Sequence, residues 1–138
     1  MRLFLDANIL FSAAKTAGAV RELLHMLSEA GHECYVDDYV IAEARRNLIA
    51  KGPGALAVLD RLLASCHRGP VQRPDTSTSA EALEWLPEKD RPVLAAAIRF
   101  RCDALVTGDR THFGVNYGKV IAGVAIHSPR SLAEILFR

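Results

Sequence analysis

Four acidic residues stand where a merely solvated carboxylate has no structural use. Asp6 directly follows the apolar run Leu3-Phe4-Leu5, and Asp109 follows Leu105-Val106-Thr107-Gly108. Asp90 opens a helical segment whose apolar positions are Val93, Leu94, Ala97 and Ile98. Leu94 and Ala97 are its i+4 and i+7 neighbours, so Asp90 begins the buried stripe. Glu43 lies beside Val40 and Ala44, on a helix that follows a second apolar run. Taken singly, each has an ordinary use: Asp6 as a turn cap with Asn8, Asp90 as an N-cap, Asp109 as a turn residue, Glu43 as a solvated partner of Arg46 or Asn47. Those uses do not explain four acids converging above one edge. Gathered carboxylates raise each other's pKa and resist ionising together. A hard divalent cation, Mg²⁺ or Mn²⁺, removes that cost, because both favour oxygen ligands. One or two such ions generate hydroxide and hold it in line with a phosphodiester, with no nucleophilic side chain required.

The elements that must position these acids alternate between short apolar strands and amphipathic helices. Leu3-Phe4-Leu5 predicts a buried strand feeding a turn at Asp6-Ala7-Asn8. Val20, Leu23, Leu24 and Leu27 predict a helix over about 18–30 that stops at Gly31. Cys34-Tyr35-Val36 reads as a second strand, with Asp37-Asp38 capping a helix over about 39–50. After Gly52-Pro53-Gly54, the spacing of Leu59, Leu62, Leu63 and Cys66 marks another helix. The stretch from Gly69 to Thr78 is polar, with Val71 in a short extended piece, and a helix near Ala80 to Trp85 precedes a strong one from Glu88 to about Arg101. Ala104 to Thr107 reads as a strand, 110–118 as a loop with one helical turn, and Gly123 to His127 as the last strand. Ser128 caps a final helix with Pro129 at its first position. Continuous apolar strands imply a sheet covered on both faces. The fold class is therefore α/β, a three-layer α/β/α sandwich around a central, mainly parallel sheet. Sites in such folds lie outside the carboxyl ends of the strands, where Asp6 and Asp109 fall.

Length and composition agree with this. The 138 residues fit one domain spanning 1–138, half of them hydrophobic and 24% charged, which excludes disordered and disulfide-stapled classes. No apolar run is long enough to cross a membrane, and the opening Met1 to Asp6 reaches an acid too soon for a signal peptide. Three scattered cysteines (Cys34, Cys66, Cys102) form no CxxC pair; they read as buried thiols and suit a cytoplasmic location. The net charge of +1 is uninformative until the four acids are set aside, which leaves 17 basic residues against 12 acidic ones. Arg45, Arg46, Arg91 and Arg110 each lie within three residues of one of those acids, as a basic rim for phosphates.

The chain resembles the PIN-domain nucleases, and among them the VapC-type toxin ribonucleases of toxin–antitoxin pairs. The likeness rests on Leu5-Asp6-Ala7-Asn8-Ile9-Leu10, on Ala42-Glu43, on Lys89-Asp90-Arg91-Pro92-Val93-Leu94-Ala95-Ala96-Ala97 and on Leu105-Val106-Thr107-Gly108-Asp109. Their order covers nearly the whole chain. The resemblance implies that Asp6, Glu43, Asp90 and Asp109 are catalytic residues binding Mg²⁺ or Mn²⁺, with Asn8 and Thr107 orienting a carboxylate, a water or the substrate. It implies cleavage of RNA by metal-activated water, a small antitoxin as partner, and a homodimer. Arg91, Arg110 and His112 complete the expected substrate-binding set. One departure stands out. Many members place a further acid about two residues after the last aspartate, where this chain has Thr111 and His112. That leaves the second metal position open and makes a single held ion the expectation. His112 reads as a contact to phosphate, as a proton carrier, or, most simply, as a plain surface histidine.

Three other functions fit parts of the pattern. An RNA-processing nuclease that is not a toxin would look the same. A non-catalytic binding module on the same fold would have no need of all four acids. An aspartate-nucleophile phosphatase also begins with a strand ending in aspartate, but needs a second acid two residues later, where Asn8 stands.

Overall fold

The computed structural model describes residues 1–69, 83–84, 86–88 and 90–137. Six strands form one sheet: β1 (Arg2–Leu5), β2 (Glu33–Asp37), β3 (His67–Gly69), β4 (Ala104–Val106), β5 (Val120–Ile121) and β6 (Val124–His127). Their order is β3-β2-β1-β4-β6-β5, and every pairing is parallel except β5 with β6. Around it lie α1 (Ala7–Lys15), α2 (Ala19–Glu29), α3 (Asp38–Lys51), α4 (Leu56–Leu63), α5 (Arg91–Arg99), the single turn α6 (Arg110–Phe113) and α7 (Pro129–Leu136).

Leu3, Phe4 and Leu5 are all wholly buried, although successive strand residues point to opposite faces. Both faces of β1 are therefore covered. Phe4 packs toward Phe100, just past α5, with ring centroids 6.1 Å apart. On the opposite face, Leu5 joins Leu24 of α2 and Leu62 of α4 around a cavity of about 400 Å³. This is the expected α/β sandwich. Cys34 and Cys102 are buried free thiols, as anticipated, and Cys66 is half-buried.

The chain builds β1, β2 and β3 outward in one direction, then returns to place β4 on the other side of β1. Such a reversal opens a crevice at the carboxyl ends of the two strands, the usual seat of a ligand in an open α/β sheet. Leu5 is paired with Val106, so the next residues, Asp6 and Thr107, emerge side by side into that crevice.

Several expectations need correction. Asp6-Ala7-Asn8 is no turn: α1 starts at Ala7, with Ile9, Leu10, Ala13 and Ala14 all buried. The helix after Gly54 ends at Leu63, and Cys66 instead leads into β3, an edge strand whose sequence His67-Arg68-Gly69 has no apolar signal. The last helix before β4 starts at Arg91 rather than Glu88. The short antiparallel strand β5 lies between the loop expected over 110–118 and the last strand, where no element was expected. The Asp37 cap is present, its Oδ1 accepting from Val40 N–H at 3.0 Å. Ser128 forms a reciprocal capping box with Ser131. Most of the helix expected near 80–85, and the extended piece at Val71, lie outside the described residues.

Candidate active site

Asp6 begins the site. It caps α1, its Oδ1 accepting from Ala7 N–H at 2.7 Å, and only 6% of its surface is exposed. The Thr107 hydroxyl, wholly buried at the end of β4, donates to Asp6 Oδ2 at 2.8 Å. Thr107 Oγ1 in turn accepts from Asp109 N–H at 3.1 Å and from Asn8 Nδ2 at 3.3 Å. Asn8 Nδ2 also donates to Asp6 Oδ2 at 3.3 Å, and its Oδ1 accepts from Gly108 N–H at 2.8 Å. One hydroxyl and one amide thus tie the end of β1 to the turn after β4. Both donate to the Asp6 carboxylate.

Burial pushes the Asp6 carboxyl up to about 6; its hydrogen bonds from Thr107 and Ala7 oppose this, and repulsion from Glu43 and Asp90 adds to it. The charges of Glu43 on α3 and of Asp90 just before α5 therefore both reach Asp6 at the end of β1. Glu43 is half-buried.

Asp90 and Asp109 meet at His112. Asp90 holds the residue before α5, but its side chain makes no capping hydrogen bond there. Asp109 caps α6, its Oδ1 accepting from His112 N–H at 3.1 Å. His112 Nδ1 lies 2.7 Å from Asp90 Oδ2 and 2.7 Å from Asp109 Oδ2. His112 is thus no plain surface histidine: it is three-quarters buried between two carboxylates. Among the described residues, Asp90, Asp109 and His112 form the one group of three or more ligand-type side chains whose donor atoms lie within 4.8 Å of one another. Two carboxylate oxygens and an imidazole nitrogen fit a divalent cation chemically. So does the buried His112 Nδ1, which completes no hydrogen bond despite its close neighbours.

The expected basic rim is only partly present. Arg91 turns its guanidinium inward, donating from Nε to Leu86 C=O at 3.0 Å and from Nη2 to Glu84 C=O at 3.4 Å. Arg45 pairs with Asp60 at 2.8 Å. Arg46 and Arg110 remain exposed.

Two tyrosines were missed. Burial raises the pKa of Tyr39, and the charges of Glu43 and Asp90 raise it further. The signal was available: Tyr39 stands four residues before Glu43, on the same face of α3. Tyr117 donates to Thr107 C=O at 3.1 Å. Its hydroxyl pKa is raised by burial first and then by Asp109.

A mainly parallel sheet between helices, with carboxylates at the crevice between β1 and β4, defines an α/β class with an acidic site at its strand ends. The chain belongs to the PIN domain family, which it matches over residues 2–111. His112 is the first residue beyond that match. Among solved structures, the fold is similar to "VapBC2 from Rickettsia felis bound to a DNA fragment from their promoter", with a TM-score of 0.63 at 16% identity over 93% of this chain and 98% of the other. It is equally similar to FitAcB from Neisseria gonorrhoeae, with a TM-score of 0.63 at 18% identity over 93% and 98% of the two chains. No curated protein matches the chain in sequence. Among the described residues, no helix is long and apolar enough to cross a membrane.

Proposed function

We propose that this chain is a metal-dependent endoribonuclease, acting with Mg²⁺ or Mn²⁺ on RNA, and the toxin of a toxin–antitoxin pair. One observation carries the reading: Asp90 and Asp109 close on a common point, while the charges of Glu43 and Asp90 both bear on the buried Asp6. That arrangement is costly without a cation.

In this reading Asp90 and Asp109 hold the ion, with Glu43 and Asp6 completing the negative ring. The chemistry a divalent ion supplies when bound is activation of water and stabilisation of charge at the scissile phosphate. Thr107 and Asn8 fix the Asp6 carboxylate, so it needs no reorganisation during reaction. Arg46 and Arg110, which are exposed, would meet RNA phosphates in this reading. Arg91 braces the chain ahead of α5 rather than touching substrate. Family membership and likeness to proteins named VapBC2 and FitAcB support a small antitoxin as the partner; a homodimer and a cytoplasmic setting belong to the same proposal.

The test is cleavage of a panel of single-stranded and structured RNAs with Mn²⁺, with Mg²⁺ and with excess EDTA. Cleavage that EDTA abolishes, and that Asp90→Asn lowers by at least about a hundredfold in a folded protein, is the expected result. Cleavage indifferent to EDTA, or undiminished in Asp90→Asn, refutes it.

A further inference from the structure

His112 is held by its own backbone. Its N–H donates to Asp109 Oδ1, which turns the other oxygen of that carboxylate toward the ring nitrogen, 2.7 Å away. From α5, Asp90 Oδ2 approaches the same nitrogen equally closely. A single Nδ1 carries one proton or one lone pair, so it cannot serve two carboxylates at once. It is buried and hydrogen-bonded to neither.

A cation bound by all three would resolve this. Adjacent ligands of an octahedral ion with bonds near 2.1 Å stand about 3 Å apart. The observed spacing is close to that, and a small opening of the cluster is sufficient. The donor set then decides which ion is preferred. Both Mg²⁺ and Mn²⁺ favour oxygen, but a first-row transition ion accepts an imidazole nitrogen in its shell far more readily than Mg²⁺ does, even at the Mn²⁺ end of the series.

We propose that His112 Nδ1 is a metal ligand alongside Asp90 and Asp109, and that it biases the site toward Mn²⁺ over Mg²⁺. The inference rests on the metal-dependent reading above, but concerns one residue of this chain and can fail alone. His112 then takes part in metal choice rather than in contact with phosphate.

The experiment is calorimetric titration of the full chain with MnCl₂ and, separately, with MgCl₂, for wild type, His112→Ala and His112→Asp. Pulsed EPR of Mn²⁺ bound to the wild type needs no variant and reads nitrogen coordination directly. The expected results are a ¹⁴N coupling, and Mn²⁺ affinity falling about tenfold or more in His112→Ala while Mg²⁺ affinity changes far less. His112→Asp loses the nitrogen signal and narrows the gap between the two ions. Mn²⁺ bound without ¹⁴N coupling, or an unchanged affinity ratio in a folded His112→Ala, overturns the assignment and leaves the nuclease reading intact. Failure of wild type to bind either ion overturns both.

Discussion

Replacing Asp6 by asparagine offers a test in which stability and pH must move together. In the folded chain the carboxyl titrates at about 6, against 3.8 for the ordinary group, chiefly because it is buried. The fold thus holds this proton more tightly than the unfolded chain does. Whatever Asp6 contributes is fully present below about 3.8 and is lost as pH rises through about 6. The gap corresponds to about 3 kcal/mol. Asparagine has no such dependence, but it presents a single acceptor. If that oxygen keeps the Ala7 N–H, its amide group faces Thr107 Oγ1, at which Asn8 Nδ2 and Asp109 N–H already point. That mismatch costs about 1–2 kcal/mol. Near pH 8 without metal, Asp6→Asn is therefore expected to be more stable than wild type by about 1–2 kcal/mol. Near pH 3.5 it is expected to be less stable by a similar amount. Urea unfolding in EDTA-containing buffers across that range measures the difference, and contributions from acids away from the site cancel between the two proteins. Parallel pH–stability curves would refute the reasoning, because they would mean that Asp6 does not carry its burial cost. A saturating divalent ion should shrink the variant's advantage at pH 8, since its positive charge offsets the cost of keeping Asp6 ionised in the wild type.

Two further substitutions probe the frame around the site. Asp37→Ala removes the cap of α3 and leaves the Val40 N–H unsatisfied; a loss of about 1–2 kcal/mol is expected by urea unfolding, with Asp37→Ser recovering most of it. Gly69→Ala would place a Cβ 2.5 Å from Phe100 Cζ, on a ring already packed near Phe4 and Tyr35. It should cost about 1–3 kcal/mol, and less in a Phe100→Leu background, as a double-mutant cycle would show.

The acids were legible in the sequence because each breaks a local rule. A charge directly after a continuous apolar run, or at the head of a buried helical stripe, conflicts with its surroundings, and such conflicts mark functional sites. The parallel sheet was legible for a similar reason, since both-face burial removes the alternation of a half-exposed strand. Helix α1 was not, because Ala7 to Lys15 joins β1 without a loop, and the residue that caps it, Asp6, fits a turn with Asn8 equally well. Strand β3 carries no apolar residue to announce it and exists through pairing with β2. Least legible was the role of His112. Its spacing from Asp109 shows that the two share a helical turn, but nothing local shows that Asp90, on another helix, closes the other side. Arg91 illustrates the opposite case: proximity in sequence to a site acid did not prevent its guanidinium from turning to main-chain carbonyls.

The bond from Thr107 to Asp6 spans 101 residues of chain, and this separation has a consequence for how the protein is made. During synthesis Asp6 leaves the ribosome early, and β1, β2 and β3 can pair behind it, but its hydroxyl partner and the turn bearing Asp109 are not yet translated. The carboxylate ring can assemble only after β4 has docked against β1, a contact that must first meet the entropy of closing a long loop. A nascent chain stopped short of β4 carries three of the four acids and no formed site. Competence is therefore coupled to the late completion of the sheet.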